Sequence, residues 1–398
     1  MRRPPDVLFV VALVSITLID SFAVLLFLPA MPEVKKAFAI SEAVVGLTFS
    51  VTLLVMGIVT LLYGSLSDRY GRRPVLLAGL ILFSVGGAVS ALAGSVSGLI
   101  IGRIVQALGA GCGIALARVI ARDAYGSDSL VEVIAYLSMA ATLGPIISPL
   151  LGGALIDTFG WRSVLWFAAL AGAIITSLAY AALYETDEIE QGRTAVLRNY
   201  AALFAHPRFT AFVLQTGLST GTFYAMASAS SFLMKDYLGR SATQFGLYFV
   251  LFPVGLFVGH LLSGKLSRRF SIENMVLTGS VINLTAVISQ SALILAGYLS
   301  PLVLFIPGFL VTFGQGLALP NAQAGALRVI PGLSGTAAGI GVFFQMFFGA
   351  VFSQVYGLLA DGTPIPLVIT ASAAAVLTLL AGLAPVALKH RERAATNR

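Results

Sequence analysis

The chain has 398 residues, 58% of them hydrophobic and 10% charged, with a net charge of +7 and a mean hydropathy of +0.95. Soluble domains carry about 25% charged residues, so no water-soluble fold accounts for this composition. The positive charge is scattered over short segments between apolar runs, with no basic face or recognition helix, which argues against a nucleic-acid partner. The single cysteine, Cys112, rules out an intrachain disulfide.

Crossing a bilayer takes ~20 largely apolar residues. Twelve such runs follow one another, at 7–29, 41–63, 75–94, 97–120, 130–153, 162–184, 209–233, 243–263, 275–297, 301–323, 334–357 and 365–388. They predict an all-α polytopic membrane protein. The first run is a full span without a small-residue cleavage pattern, so it reads as a span and not as a leader. Most basic residues, among them Arg2, Arg3, Arg69, Arg72, Arg73, Arg193, Lys389 and Arg398, fall on alternate segments that share a side with the N-terminus. The opposite side holds Lys35, Lys36, Arg162, Lys235 and Arg240. Arginine-rich short loops stay cytoplasmic, so both termini are expected inside.

The longest hydrophilic stretch, 185–207, holds Glu185, Asp187, Glu188, Glu190, Arg193 and Arg198 and divides six spans from six. The expected organisation is a six-helix bundle over 1–184, a cytoplasmic linker over 185–207, and a second bundle over 208–398 with a short basic tail. The halves echo each other: Gly64–Tyr70 reads G-S-L-S-D-R-Y and Gly264–Phe270 reads G-K-L-S-R-R-F, each after the second span of its half. Duplicated six-span halves around a midplane cavity are a transporter plan.

Several residues stand out against this background. Asp20 lies mid-span in T-L-I-D-S-F with no charge nearby in sequence, either a proton-carrying group or a helix-packing hydrogen bond. Gly64–Val75 reads G-S-L-S-D-R-Y-G-R-R-P-V, a short loop crowded with Asp68, Arg69, Arg72 and Arg73; on its own it is a topology signal. Arg103, in L-I-I-G-R-I-V-Q-A-L-G-A-G, costs ~2.5 kcal/mol or more inside a bilayer. It therefore needs a partner in protein or water, or snorkels to the outer interface. Ala141–Gly153, A-T-L-G-P-I-I-S-P-L-L-G-G, combines glycines for close helix approach with prolines that bend a span. Gln106, Gln215, Tyr224, Gln315, Asn321 and Gln345 are candidates for a substrate cavity, or simply for bonds between helices. No nucleotide-binding loop occurs, and His206, His260 and His390 are far apart, so neither a metal nor another cofactor is expected. An enzyme would need convergent His, Asp or Ser groups at one depth, and only isolated ones occur.

These strings resemble the major facilitator superfamily, across nearly the whole chain. Gly64, Asp68, Arg69, Gly71, Arg72 and Arg73 match its loop between the second and third spans. The resemblance implies a conformational latch. Asp68 is expected to face the start of the eleventh span, near Ser334 and Gly335, and Arg72 to bridge Asp68 and Asp123. Arg268 stands where the second half would repeat Asp68, so the latch is asymmetric. Arg103 with Gln106 is similar to the family's fourth-span R-x-x-Q segment, whose arginine is linked to proton transfer. Gly144, Pro145, Gly152 and Gly153 resemble the fifth-span motif of drug/proton antiporters. The first span ends F-L-P-A-M-P, which looks like the Y-L-P-A-L-P of the bicyclomycin and chloramphenicol exporters. Their acid stands four residues before the first proline; here that position is Leu25, and Asp20 lies five residues earlier on another helix face. The resemblance implies a twelve-span transporter that exports small, largely apolar drugs across the cytoplasmic (inner) membrane. Its partners would be the substrate, protons and the bilayer, it would act as a monomer, and alternating access would couple export to proton entry. An exporter of a sugar or other small metabolite is the alternative.

Overall fold

A computed structural model describes residues 7–125, 127–186 and 196–396. Among them the backbone is helical apart from turns, with no strand. Hydrocarbon offers backbone N–H and C=O groups no partner, and a helix satisfies them within the segment. The spans are α1 (Val7–Phe38), α2 (Glu42–Tyr70), α3 (Arg72–Leu92), α4 (Val96–Ala124), α5 (Ser127–Phe159), α6 (Arg162–Ala182), α7 (Pro207–Phe232), α8 (Ala242–Leu266), α9 (Ile272–Leu295), α10 (Pro301–Leu327), α11 (Ser334–Leu359) and α12 (Ile365–Thr396).

Eleven of these helices are long and apolar enough to cross a membrane. The exception is α7, which has the length, at 26 residues. Gln215 and a series of hydroxyl residues dilute its hydropathy. Nearly every residue of α7 from Phe209 to Phe232 is buried by protein. Its threonines bond carbonyls of their own helix, as Thr220 does to Thr216 (2.9 Å) and Thr222 to Leu218 (3.2 Å).

The chain divides into two compact units, one of Met1–Thr194 with Ser241–Leu247, the other of Ala195–Arg240 with Tyr248–Arg398. Within the first, α3 packs on α4 and α6, α2 on α4, and α1 on α5 and α6. Within the second, α9 packs on α10 and α12, α8 on α10, and α7 on α11 and α12. The same pattern recurs six helices later, as the echoed loops suggest. Small residues let the helices close up. A Cβ at Gly86 in α3 would lie 2.1 Å from the Gln106 nitrogen in α4, and one at Gly279 in α9 would lie 2.3 Å from the Gly314 carbonyl in α10.

Three elements depart from the sequence expectation. The span α1 is segmented into Val7–Thr17, Ile19–Val24, a 3-10 turn at Leu28–Ala30, and Met31–Phe38; Pro29 and Pro32 lack the N–H that a continuous helix uses. The expected loop after the second run is mostly helix, because α2 continues to Tyr70 and only Gly71 separates it from α3. The linker contains a helix, Val196–Phe204, whose Leu203 is buried among Phe209, Phe212 and Val213 of α7. Arg2, Arg3, Asp187, Glu188, Glu190, Arg193 and Arg398 lie outside the described residues.

Candidate functional site

Three clusters of the singled-out residues lie within the first unit. The first surrounds the α2–α3 turn. Gly71 has φ of +93°, a conformation that costs other residues strain. This turn starts α3 at Arg72 with its first amides unpaired within the helix. Glu185, just beyond α6, supplies the acceptors: Oε1 accepts from Arg72 N–H (2.8 Å) and Oε2 from Arg73 N–H (3.1 Å). A Cβ on Gly71 would lie 2.7 Å from Glu185 Oε2, the end of a side chain that can shift, so it is the positive φ that calls for glycine there.

Arg72 is buried. Its guanidinium donates to Ser67 Oγ (2.6 Å) and to Asp68, and its Nε donates to Asp123 Oδ2 (3.2 Å). The structure therefore brings Asp68, Arg72 and Asp123 together. The Asp68 side chain is 54% exposed and that of Asp123 18%. Arg73 donates to the Tyr180 carbonyl (2.8 Å) and stacks over its ring, while Arg69 lies over Tyr70. Gly64 has open space where a Cβ would stand.

The second cluster centres on Arg103 in α4. It is fully buried and does not snorkel. Nη1 donates to Gln106 Oε1 (2.6 Å), Nη2 donates to the Ala23 carbonyl (2.7 Å), and the guanidinium lies 4.5 Å from the centre of the Phe27 ring. Ala23 and Phe27 belong to the segmented part of α1, so the arginine ties that region to α4. Gln106, expected in a substrate cavity, is instead a fully buried acceptor for Arg103. Asp20 sits two residues past the break at Leu18, half-buried, with no hydrogen bond or ion pair among the described residues. The structure does not join it to Arg103.

The third cluster is on α5. Pro145 and Pro149 lie inside one continuous helix. A Cβ at Gly144 would lie 2.5 Å from Ser21 Oγ, at Gly152 2.6 Å from the Leu26 carbonyl, and at Gly153 2.3 Å from the Ala242 carbonyl. The motif's glycines thus press α5 against the α1 segment that carries Asp20, and against Ser241–Leu247. Asp157, four residues beyond Gly153, accepts from Ala242 N–H (3.2 Å) and Thr243 N–H (2.8 Å) and so caps that short helix start.

In the second unit the candidate cavity residues largely bond neighbouring helices. Gln215 donates to Ser280 (3.1 Å), joining α7 to α9; Gln315 donates to Thr220 (2.9 Å), joining α10 to α7; Asn321 donates to Ser263 (2.8 Å), joining α10 to α8. Gln345 donates to the Gly341 carbonyl of its own helix (3.2 Å). Tyr224 packs on Gly349 and Phe223. No group of three His, Cys, Asp or Glu suited to a metal occurs among the described residues. Sequence reasoning missed the roles of Glu185, Asp157 and Phe27. Glu185 was visible only as one acid of a polar linker, and Asp157 only as an acid following the Gly-Gly pair.

A buried arginine in α4, a tight α2–α3 turn locked by an arginine between two aspartates, and six-helix units of matching pattern describe a polytopic transporter. The Major Facilitator Superfamily model matches residues 13–354. The chain is 28% identical over 359 residues to Multidrug resistance protein D of Escherichia coli, covering 90% of this chain and 91% of that protein. It is 23% identical to the Bicyclomycin resistance protein homolog of Haemophilus influenzae, covering 94% and 95%. Among solved structures it superposes on a D-xylose–proton symporter with a TM-score of 0.76 at 16% identity, covering 95% and 97%. The chain belongs to the major facilitator superfamily, and its curated relatives match the exporter branch that its motifs resemble.

Proposed function

We propose that the protein exports small, largely apolar drugs across the cytoplasmic membrane in exchange for protons, by alternating access. The observation that carries this reading is the packing of the α5 antiporter motif on the Asp20 segment of α1. Gly144 meets Ser21, the neighbour of Asp20, where α1 leaves regular helix. A carboxyl group at such a break is held by no fixed cation, so a proton is its counter-charge. A proton bound there removes a charge from the α1–α5 contact, and its release restores one. The names of the relatives, which concern resistance to several drugs and to bicyclomycin, support a drug as the exchanged solute.

Arg103 holds the rest of the segment by Ala23 and Phe27, which gives it a positioning role in proton coupling. The Asp68–Arg72–Asp123 cluster serves as the latch of one conformer. Proteoliposomes carrying the purified protein test the reading: an imposed pH gradient drives uphill drug movement, and drug addition drives proton movement. Labelled sugar moving in place of drug overturns the drug assignment and favours the metabolite exporter.

A further inference from the structure

The second unit holds a cavity of about 680 Å³ that none of the motifs uses. It lies where α7 and α9 begin and α10 and α12 end, the end that the basic-residue bias places at the cytoplasm. Arg208 at the start of α7, Arg328 just past α10, and Lys389 near the end of α12 line it. Among the described residues the one acid in the wall is Glu273, 5% exposed. It accepts from Arg208 (2.6 Å) and from Lys389 (2.7 Å). One carboxylate therefore fixes two cations, so the described wall is net positive, and Arg328 adds a further positive charge. The first turn of α9 forms part of the same wall, and a helix N-terminus favours an anion. Phe212 and Ile272 make the remainder apolar.

From this arrangement we propose that the cavity binds the phosphate group of an anionic phospholipid from the cytoplasmic leaflet. The cations and the helix start meet the phosphate, and the apolar wall takes the adjoining glycerol and acyl atoms. A zwitterionic lipid presents the same phosphate beside a fixed cation, which the basic wall disfavours. Free phosphate has the charge without the apolar part. Basic pockets between transmembrane helices at this face suit lipid headgroups.

The test uses the full chain, purified in a neutral detergent and stripped of lipid. Phosphatidylglycerol, phosphatidylcholine and sodium phosphate are titrated separately, with retained lipid read by native mass spectrometry and the unfolding midpoint read in parallel. The expected result is saturable retention of phosphatidylglycerol, with neither phosphatidylcholine nor phosphate raising the midpoint. Arg328→Gln removes a cation that makes no described ion pair, so the Glu273 network remains. It should weaken phosphatidylglycerol binding about fivefold, the factor that one cation at a membrane surface supplies. Arg328→Gln with Lys389→Gln should weaken it about 25-fold on the same basis. Arg268→Gln, at the same end but outside the cavity wall, should bind as wild type. Equal binding by Arg328→Gln and Arg268→Gln overturns the site. An equal midpoint rise with sodium phosphate alone overturns the lipid assignment and leaves a phosphate site. Equal binding of phosphatidylcholine overturns the charge argument.

Discussion

Replacing Arg103 by alanine should be among the most damaging single changes in the first unit. The substitution leaves two buried acceptors, Gln106 Oε1 and the Ala23 carbonyl, facing a void. Hydrogen bonds to a charged group contribute ~1.5–3 kcal/mol each, and a desolvated cation over an aromatic face adds ~2 kcal/mol. The desolvation that the guanidinium no longer suffers offsets part of that sum. Neither partner is charged, so what remains is two unpaired buried acceptors, at a cost of ~1–3 kcal/mol each. Lysine keeps the charge but lacks the fork that reaches both acceptors, so Arg103→Lys should cost less and keep some transport. Gln106→Leu removes one acceptor, and its cost should not add to that of Arg103→Ala. Chemical denaturation of the purified protein in mixed micelles gives the four free energies of this cycle. A coupling of ~1.5–3 kcal/mol is expected, the worth of one charge-assisted bond. If Arg103→Ala stays within ~0.5 kcal/mol of wild type, the range of an ordinary surface change, and still transports, the anchoring of α1 by Arg103 is refuted.

Other perturbations separate stability from switching. Asp68→Asn should slow export and leave the unfolding midpoint near wild type, because Asp68 is the exposed member of its cluster. Asp123→Asn should lower the midpoint more, and the double variant should fall short of the sum of the two; additive losses would show that Arg72 does not couple them. Glu185→Ala leaves the Arg72 and Arg73 amides without their acceptors and should cost ~0.5–2 kcal/mol, the worth of an N-cap. Glu185→Gln should cost less, because it keeps one oxygen, and the same denaturation assay checks the order. Gly86→Ala pushes a methyl group into the α4 backbone and should cost ~1–3 kcal/mol as overpacking does; a neutral result would show that α3 and α4 separate freely.

The spans and the duplication were legible in the sequence, and the family resemblance of the α2–α3 motif implied the Asp68–Arg72–Asp123 contact. Each rests on a run of apolar residues or on a motif at fixed spacing. The turn itself was not. Its key acceptor, Glu185, lies 113 residues from Arg72 in the chain, and no local pattern links them. Arg103 was marked by the rarity of an intramembrane charge, but its partners were hidden for a different reason. A backbone carbonyl and an aromatic face carry no polar side-chain signature, so Ala23 and Phe27 read as ordinary span residues. The amides of the second half were ambiguous for the same chemical reason: a glutamine that lines a cavity and one that bridges two helices look alike until their neighbours are known. In α7, threonines that bond their own helix lower the hydropathy of a helix buried by protein.

Proton exchange through Asp20 is the central claim, and one measurement bears on it most directly. Wild-type and Asp20→Asn proteins are reconstituted in the same vesicles, a pH gradient is imposed, and drug uptake against its concentration gradient is followed together with drug exchange at equal pH. Asp20→Asn should abolish uphill movement while leaving exchange of drug for drug, since asparagine keeps the size and polarity of the site but carries no proton. Uphill transport by Asp20→Asn at the wild-type rate would contradict the claim and move the proton site elsewhere in the protein.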